Sequence, residues 1–389
     1  MYKLKHVVDG LKLIVAYSIA KILRLFKYNR DIWLIGERKN EAKDNGYHLF
    51  KYIRENYKNQ QIYYVIDKSS NDLEKIMKFG NVIYYDTFKH YLYYILSNKL
   101  ILAHLGSCVP TSPVVWRFHK LTKKKNIFIQ HGITLSSADS LKYENTKLDM
   151  FICGAKPEYD FVSRELGYPD ESVKYTGFCR FDNLNKFKVK NQILVMPTWR
   201  KWLGGSTWPL EDKKRENELF IESEYFKRYY SLMNDDKLSQ LLEKHNLDLI
   251  FYPHYEMQKY INLFKSNKKN VIIASKEKYD VQQLLKDSKL LITDYSSVAF
   301  DFAYMDKPII YYQFDEEEYY KSHYSKGYFN YEKDGFGPKI ISNIELINQI
   351  ENYIRCKFNN EKYKQNQKRF FEKHDKNNSE RNYQVIKNM

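Results

Sequence analysis

Cysteine, glycine and proline are scarce in this chain of 389 residues, and their scarcity excludes several classes of protein. The four cysteines, at positions 108, 153, 179 and 356, form no CxxC pair and no Cys/His cluster at zinc-binding spacing. We therefore expect reduced thiols in a cytosolic chain, with no disulfide framework and no bound metal or cofactor. Fourteen glycines and nine prolines exclude a collagen-like or low-complexity sequence.

Long apolar runs and glycine-rich phosphate-binding motifs are absent as well. The uncharged stretch 13–20 is far shorter than the roughly 20 residues that cross a bilayer. Neither GxxxxGK[ST] nor GxGxxG occurs, which excludes a P-loop and a dinucleotide-binding fingerprint. The chain does have the 43% apolar content of a globular protein and a length that suits about two domains.

Acidic residues are outnumbered by basic ones, 48 against 64, which gives a formal net charge of +16. Such a chain attracts anions, which include nucleic acid, acidic lipid head groups and phosphorylated substrates. A nucleic-acid-binding protein is one hypothesis. No RRM, KH, zinc-finger or helix-turn-helix pattern accompanies the charge, so we expect no nucleic-acid partner.

Residues 1–30 combine apolar residues with seven basic ones, Lys3, Lys5, Lys12, Lys21, Arg24, Lys27 and Arg30. This pattern is typical of a basic amphipathic helix that lies on an anionic membrane surface. It predicts a peripheral protein at the cytoplasmic face of the cell membrane. A first helix packed on its own domain is the alternative for this segment. A second basic cluster, Lys120, Lys123, Lys124 and Lys125, is the other candidate for a membrane contact.

Short apolar strands alternate with helical segments along most of the chain, which predicts parallel α/β sheets. The expected strands form two series, 31–36, 61–66, 82–85, 100–103 and 126–130, then 192–196, 248–252, 270–273, 290–293 and 308–312. A polar stretch, 182–191, separates the series. We predict two Rossmann-like domains, 31–186 and 187–389, the second with a helical tail, and a ligand cleft between them.

Two histidines follow predicted strands directly. His131 precedes Gly132, where the backbone can turn sharply, and histidine is well matched to take a proton from an alcohol near neutral pH. His254 follows an apolar strand of the second series and could stabilise charge on a phosphate. The alternatives are a strand-end histidine that only bonds backbone and a solvated loop histidine.

Hydroxyl and charged groups follow two further strands of the second series. Asp294, Ser296 and Ser297 stand between a strand and a helix, where a phosphate or ordinary helix capping would account for them. Thr198 and Arg200 follow the strand 192–196, and could reach anionic oxygens. Arg180 lies near the predicted domain boundary. For both arginines, a surface ion pair is the alternative.

Five motifs in this chain resemble those of one known family. They are Gln130-His-Gly-Ile133, Thr176-Gly-Phe-x-Arg-Phe-Asp182, Pro197-Thr-Trp-Arg200, Pro253-His254 and Thr293-Asp-Tyr-Ser-Ser297. The same motifs occur in this order in the CDP-glycerol glycerophosphotransferases, the teichoic acid primases and polymerases. The resemblance extends from about residue 33 to residue 338. Two departures, Cys179 and Tyr255, stand where proline is common, and the second leaves the identity of the polyol open.

The resemblance implies a GT-B fold with the active site between its two domains. It implies transfer of glycerol phosphate or ribitol phosphate from a CDP-activated donor to a hydroxyl of a lipid-linked glycan or a growing teichoic acid or capsule polymer, with release of CMP. The general base carries over to His131 and the second essential histidine to His254. The pyrophosphate contacts carry over to Asp294, Ser296 and Ser297. Arg180, Thr198 and Arg200 match recurring substrate-binding positions.

A GT-B glycosyltransferase that uses a nucleotide sugar in cell-surface polysaccharide synthesis is the nearest alternative, since a fold does not fix the reaction.

Overall fold

A computed structural model describes residues 2–26, 31–119, 122–184, 187–204 and 212–389, with side chains from residue 6 onward. The chain divides into two compact units. Unit 1 comprises 1–133, 138–183 and 372–389, and unit 2 comprises 134–137 and 184–371. The main boundary, at 183 and 184, lies close to the predicted one at 186, and residues 185 and 186 are outside the described ranges.

Each unit is built on one parallel sheet. The strands are β1 (Ile32–Gly36), β2 (Gln61–Ile66), β3 (Val82–Tyr84), β4 (Lys99–Leu102), β5 (Lys125–Phe128), β6 (Met150–Cys153) and β7 (Val173–Tyr175) in unit 1, then β8 (Gln192–Val195), β9 (Asp248–Phe251), β10 (Val271–Ile273), β11 (Leu290–Thr293), β12 (Ile309–Tyr312) and β13 (Lys339–Ile340) in unit 2. The predicted alternation of strands and helices is confirmed.

The helices of unit 1 are α1 (Tyr2–Leu25), α2 (Asn45–Asn56), α3 (Leu73–Met77), α4 (Phe88–Leu96), α5 (Pro113–His119), α6 (Tyr143–Thr146) and α7 (Lys156–Glu165). Those of unit 2 are α8 (Lys201–Gly204), α9 (Lys213–Glu222), α10 (Glu224–Met233), α11 (Asp236–Lys244), α12 (Val281–Asp287), α13 (Val298–Tyr304), α14 (Glu316–Ser322), α15 (Asn343–Arg355) and α16 (Lys364–Phe370). The last helix, α17 (Asn378–Lys387), belongs to unit 1. Short 3-10 helices are Asp139–Leu141, Cys179–Asn183, Tyr255–Leu263 and Glu361–Tyr363.

The sheet of unit 1 has the strand order β3-β2-β1-β4-β5-β6-β7, and its pairings are parallel. Strands such as β1 and β6 are continuous apolar runs whose residues are all buried. Such runs are expected when helices cover both faces of a sheet. The order reverses between β1 and β4, and in sheets of this kind ligands bind at the carboxyl ends of the strands near that reversal.

The sheet of unit 2 has the order β10-β9-β8-β11-β12-β13, again with parallel pairings. Its reversal lies between β8 and β11. Each half of the chain is therefore a Rossmann-like unit, and each has its own expected ligand-binding edge.

The last helix packs on unit 1. Asp182 accepts hydrogen bonds from the backbone N–H groups of Asn378 (2.9 Å) and Ser379 (2.8 Å) at the start of α17. Gly177, at a φ of +81°, lies so close to this helix that a Cβ atom would be 1.9 Å from Asn378 Oδ1. Residues 372–389 therefore belong to the first unit, not to the second as the sequence indicated.

Helix α1 also packs on unit 1 through one of its faces. Leu13, Ala16 and Ala20 are buried in the core that α4 and α5 share, and Arg24 Nη2 donates to the carbonyl of Ile95 at 2.9 Å. The alternative of a first helix packed on its own domain thus holds for this face. Within the described ranges, no helix is long and apolar enough to cross a membrane.

Parts of both basic clusters lie outside the described residues, namely Lys27, Arg30 and Lys120. Of the others, Lys124 donates to the carbonyls of Ile95 (3.1 Å) and Ser97 (2.5 Å) at the end of α4. A lysine that satisfies the last carbonyls of a helix stabilises that terminus. Lys125 pairs with Asp149 at 2.9 Å. These two lysines therefore have structural partners in unit 1.

Candidate active site

The backbone directly before His131 adopts a left-handed conformation. Gln130 has a φ of +58°, which is uncommon outside glycine. Its buried side chain holds this conformation, because Nε2 donates to the carbonyl of Ile152 (2.6 Å) and to Glu158 Oε1 (3.0 Å). The chain then bends sharply at His131 and Gly132, as predicted, directly after the left-handed residue Gln130.

The imidazole of His131 is held in one tautomer. Its Nδ1 lies 3.2 Å from the carbonyl oxygen of Ala103, the residue that follows β4. Since a carbonyl only accepts, Nδ1 must carry the hydrogen, and Nε2 then carries a lone pair. The residue is exposed, although nearby protein atoms desolvate the ring and lower its pKa from 6.5. The neutral ring is thus available to accept a proton.

Asn45 connects the loops that surround His131. Its Nδ2 donates to the carbonyls of Ile129 (3.2 Å) and Gln130 (3.0 Å), and its Oδ1 accepts from the backbone N–H of Arg180 (3.2 Å). The guanidinium of Arg180 pairs with Asp44 at 2.9 Å. The structure therefore brings Arg180 to the His131 cluster of unit 1, where it is buried.

A buried carboxylate shapes the start of α2. Glu37 accepts from the backbone N–H groups of Lys43 (2.8 Å), Asp44 (2.9 Å) and Tyr47 (2.7 Å). Burial, together with the neighbouring Asp44 carboxylate, raises the pKa of Glu37. A Cβ atom on Gly46 would lie 2.9 Å from the Glu37 side chain, so glycine is required there. These contacts fix Asp44 at the edge where His131 lies.

In unit 2, the imidazole of His254 is held in the opposite tautomer. Its Nδ1 accepts a hydrogen bond from the backbone N–H of Glu256 at 3.2 Å, so Nδ1 carries a lone pair. In the neutral ring, Nε2 then carries the hydrogen and is a donor. The backbone N–H of His254 donates to the carbonyl of Pro197 at 3.3 Å, which fixes the end of β9 to the loop after β8.

A buried ion-pair network joins the loops after β8 and β11. Arg200 donates to Asp315 through Nε (2.6 Å) and Nη2 (3.0 Å), and to Asp294 through Nη2 (2.8 Å). Its Nη1 donates to the carbonyl of Thr198 at 2.8 Å. Burial alone would lower the pKa of Arg200, but the two carboxylates raise it well above its ordinary value. Arg200 and Asp294 are fully buried.

This network corrects two of the predicted phosphate contacts. The guanidinium donors of Arg200 are taken by carboxylates and carbonyls of its own unit, which leaves none for a ligand. Asp294 Oδ1 accepts from the backbone N–H groups of Thr198 (2.8 Å) and Tyr295 (2.6 Å), and its Oδ2 binds Arg200. Both residues therefore hold the loops in place, and an anion cannot contact them in this arrangement.

Three other hydroxyl-bearing positions remain at this edge. Thr198 is only 7% exposed, and its buried Oγ1 atom has no hydrogen-bond partner among the residues that the structure describes. Ser297 precedes α13 without a capping hydrogen bond from its side chain, and Ser296 Oγ makes a long contact with the N–H of Val298 at 3.4 Å. Thr198 and the two serines follow β8 and β11, the strands at which the order reverses.

Two histidines that the sequence reasoning passed over lie beside the predicted ones. His104, just after β4, stacks on His131, with ring centroids 4.2 Å apart and planes at 11°. His323, just after α14, packs edge-on against Trp199 at 4.5 Å. Burial, with Arg200, His254 and Lys201 nearby, lowers the pKa of His323 to about 3. His104 could have been found from the sequence, because it too follows a buried apolar strand.

The sequence matches one family model over residues 16–388, which is nearly its whole length. That family is described as CDP-glycerol:poly(glycerophosphate) glycerophosphotransferase. The chain belongs to this family.

Two curated bacterial proteins resemble the chain to different extents. The minor teichoic acid biosynthesis protein GgaB of Bacillus subtilis (strain 168) is 35% identical over 380 residues, which cover 96% of this chain and 41% of GgaB. The teichoic acid ribitol-phosphate polymerase TarK of Staphylococcus aureus is 28% identical over 183 residues, 42% of this chain and 32% of TarK. The chain therefore spans well under half the length of these relatives.

A solved structure has a similar fold. The wall teichoic acid polymerase TagF aligns with a TM-score of 0.66 over 99% of this chain and 96% of the TagF chain, at 17% sequence identity. This likeness shows the GT-B fold, which the sequence resemblance implied.

Proposed function

We propose that this protein transfers glycerol phosphate or ribitol phosphate from a CDP-activated donor to a hydroxyl group, with release of CMP. The acceptor is a lipid-linked glycan or a growing teichoic acid or capsule polymer. Membership of the glycerophosphotransferase family supports the class of donor. Relatives named for both glycerol phosphate and ribitol phosphate keep both polyols in the proposal.

The observation that carries this proposal is the opposite tautomers of two histidines. His131 has its hydrogen on Nδ1, which donates to a carbonyl, so its Nε2 is a base. His254 has its lone pair on Nδ1, which accepts from an N–H group, so its Nε2 is a donor. Phosphoryl transfer to an alcohol is accelerated by one group of each kind, a base for the hydroxyl and a donor for the phosphate oxygens.

The reaction then follows from these roles. The acceptor oxygen forms a bond to the β-phosphorus of the donor as its proton passes to Nε2 of His131. The bond between that phosphorus and the bridging oxygen breaks, and CMP leaves with the bonding electrons. His254 and the hydroxyl groups of Thr198, Ser296 and Ser297 donate to the phosphate oxygens. Positioning and electrostatic stabilisation supply most of the acceleration in reactions of this kind.

Release of CMP tests the function directly. The chain is incubated with a lipid-linked acceptor and, in turn, CDP-glycerol, CDP-ribitol and a panel of UDP-sugars. We expect CMP from at least one CDP-polyol, and a product heavier by one or more polyol phosphate units in its mass spectrum. Turnover of a UDP-sugar with none of a CDP-polyol would favour the glycosyltransferase alternative and overturn the proposal.

Thr198 provides a test of the donor-binding edge. Because its hydroxyl has no partner within the described part of the chain, Thr198→Val should leave the free energy of unfolding unchanged within about 0.5 kcal/mol. It should raise the KM for the CDP-polyol about tenfold, the effect of one lost hydrogen bond to a charged group. Urea unfolding and steady-state kinetics measure the two effects.

Thr293 is a matched control for this variant. It is also buried, but its Oγ1 donates to the carbonyl of Met196 at 2.7 Å. Thr293→Val should therefore lower the free energy of unfolding by about 1 kcal/mol and leave the KM nearly as it was. A Thr198→Val variant that loses stability but keeps its KM would contradict the assignment of Thr198 to the donor.

We also propose that the outer face of α1 contacts an anionic membrane surface, at the cytoplasmic face of the membrane. This face is apolar and exposed, with Ile14 63% and Leu25 78% accessible. Other exposed apolar residues of α1 are Val7, Val8, Leu11, Val15, Tyr17 and Ile22. The same helix carries the exposed basic residue Lys21, whereas Lys12 and Arg24 donate to the carbonyls of Asp86 (3.2 Å) and Ile95 (2.9 Å) in unit 1. An apolar stripe with neighbouring basic groups suits the interface of an anionic leaflet.

Vesicle binding tests the α1 surface. Leu11→Glu combined with Ile14→Glu should weaken sedimentation with vesicles of anionic phospholipid at least tenfold, because two apolar side chains are replaced by charges that the leaflet repels. The control is Ile344→Glu, which changes an equally exposed isoleucine (74% accessible) in unit 2 and should leave binding unchanged. Equal binding of the double variant and the unaltered chain would place the membrane contact elsewhere.

A further inference from the structure

Two consecutive residues at the end of β4 hold the imidazole of His131. The carbonyl of Ala103 accepts from Nδ1 at the edge of the ring, and the ring of His104 covers one face at a centroid distance of 4.2 Å. The planes of the two rings differ by only 11°. Because β4 pairs with β5, the strand that leads to His131, both supports belong to the same rigid part of the sheet. The edge contact fixes the tautomer, and the face contact fixes the plane.

The imidazole of His104 makes no hydrogen bond to the residues that the structure describes, although the backbone carbonyl of His104 accepts from the N–H of Ser107 at 2.9 Å. Both of its ring nitrogens are buried, and neither has a partner in the part of the chain that the structure describes. A buried polar atom without a partner costs about 1–3 kcal/mol, so hydrogen bonding does not explain a histidine here. Burial, followed by the neighbouring His131, lowers the pKa of His104 to about 2, so its ring is neutral at any working pH. What His104 contributes is an uncharged ring face against His131.

We propose that His104 is a positioning residue for the general base: its ring, stacked on His131, holds the imidazole in the orientation that presents Nε2 to the acceptor hydroxyl. This inference rests on the proposed function and deepens it, since it explains what fixes the base. It assigns His104 no contact with either substrate. A ring that could rotate about its side-chain bonds would present Nε2 only part of the time, and small errors of placement are costly in catalysis.

The stack also sets the environment in which His131 titrates. Desolvation, to which the covering ring of His104 contributes, lowers the pKa of His131. Around the same ring, Asp44 raises this pKa, whereas Arg38 and Arg180 lower it. Removal of His104 admits water to one face and leaves the other three groups in place. The pKa of His131 should then rise toward 6.5, and the acid side of the pH–rate profile should move to higher pH.

Three variants test the inference. His104→Ala removes the face contact and should lower kcat about 10-fold to 100-fold, with the KM for the CDP-polyol nearly unchanged and the acid limb shifted upward. His104→Phe keeps an aromatic face and should retain kcat within about threefold and the original limb; it also lacks the two unpartnered nitrogens, so it should unfold at a somewhat higher temperature. In a His131→Ala background, His104→Ala should cost less than about twofold more, because coupled residues are not additive.

The outcomes separate this inference from the proposed function. A His131→Ala variant with wild-type release of CMP would overturn the proposed function. An impaired His131→Ala variant beside a His104→Ala variant with normal kcat and an unmoved acid limb would overturn the positioning role alone. So would a His104→Phe variant as slow as His104→Ala. If His104→Ala fails to fold, His104→Leu replaces it, since leucine fills the space without an aromatic face.

Discussion

Replacing Arg200 with methionine should destabilise the protein by about 3–5 kcal/mol, the cost of breaking a buried ion pair by removing one partner. Methionine preserves much of the side-chain volume, so the loss comes from charge and hydrogen bonding and not from a cavity. Asp294 and Asp315 would remain buried, without the guanidinium that neutralises both. Urea unfolding should show this loss in a transition of unit 2.

Arg228 supplies the control for this variant. It forms an ion pair with Glu224 at 2.9 Å on the surface of α10. Arg228 is half-buried, and its guanidinium also hydrogen-bonds Tyr312 and lies 5.7 Å from the centre of the Phe314 ring. Half-exposed pairs and contacts of this kind contribute about 0.5–1 kcal/mol each, so Arg228→Met should cost less than about 2 kcal/mol. Equal effects of the two arginine variants would show that Arg200 is not the centre of a buried network.

Arg200→Lys distinguishes charge from geometry. Lysine keeps the positive charge, but its ammonium group cannot reproduce the planar fork that reaches both carboxylates and the Thr198 carbonyl. We expect a stability between those of Arg200→Met and the unaltered chain. Because the same network holds the loop of Thr198, the KM for the CDP-polyol should rise in both variants even where the protein is folded.

The sheets were predictable because a strand that is buried on both faces is a continuous run of apolar residues in the sequence. Strands such as β1 and β11 are uninterrupted apolar runs that end at a glycine or a polar residue. The strands β6 and β7 were not predicted. In β7, Lys174 interrupts a run of only three residues, whereas β6 is a buried apolar run like the predicted strands and was overlooked. The position of the tail was not predicted either. Asp182 caps α17 by binding the N–H of Asn378, a residue 196 positions away. A local sequence pattern cannot predict a contact between residues so far apart.

The residues of the candidate site were predictable where they directly follow an apolar strand. His131 and His254 were found because each follows an apolar strand, and the structure shows both at the carboxyl end of a strand. The opposite hydrogen-bonding of their Nδ1 atoms could not be foreseen, because it depends on the exact backbone group that each meets. Arg200 was misjudged for a related reason. A motif shows that an arginine is present, but not that Asp294, 94 residues away, already binds it.

Glutamine replacements should separate the roles of the two histidines. His131→Gln should lower the rate of CMP release about 10²–10⁴-fold, because an amide cannot take the proton of the acceptor hydroxyl at any pH. For the unaltered chain, the lowered pKa of His131 places the acid limb of the pH–rate profile below pH 6.5, and the rate falls as the pH drops through that pKa. The variant should lose this limb together with the rate.

His254→Gln should behave differently, because an amide N–H can still donate to a phosphate oxygen. We expect it to retain at least about tenfold more activity than His254→Ala, whose loss should approach the 10²–10³-fold typical of a missing oxyanion donor. Both variants should keep the acid limb, since His131 is intact in them. Loss of the limb in His254→Gln, or its survival in His131→Gln, would reverse the two assignments. The tautomers therefore predict one role for each histidine, His131 as the base and His254 as the donor. The activity that each glutamine variant retains tests that role.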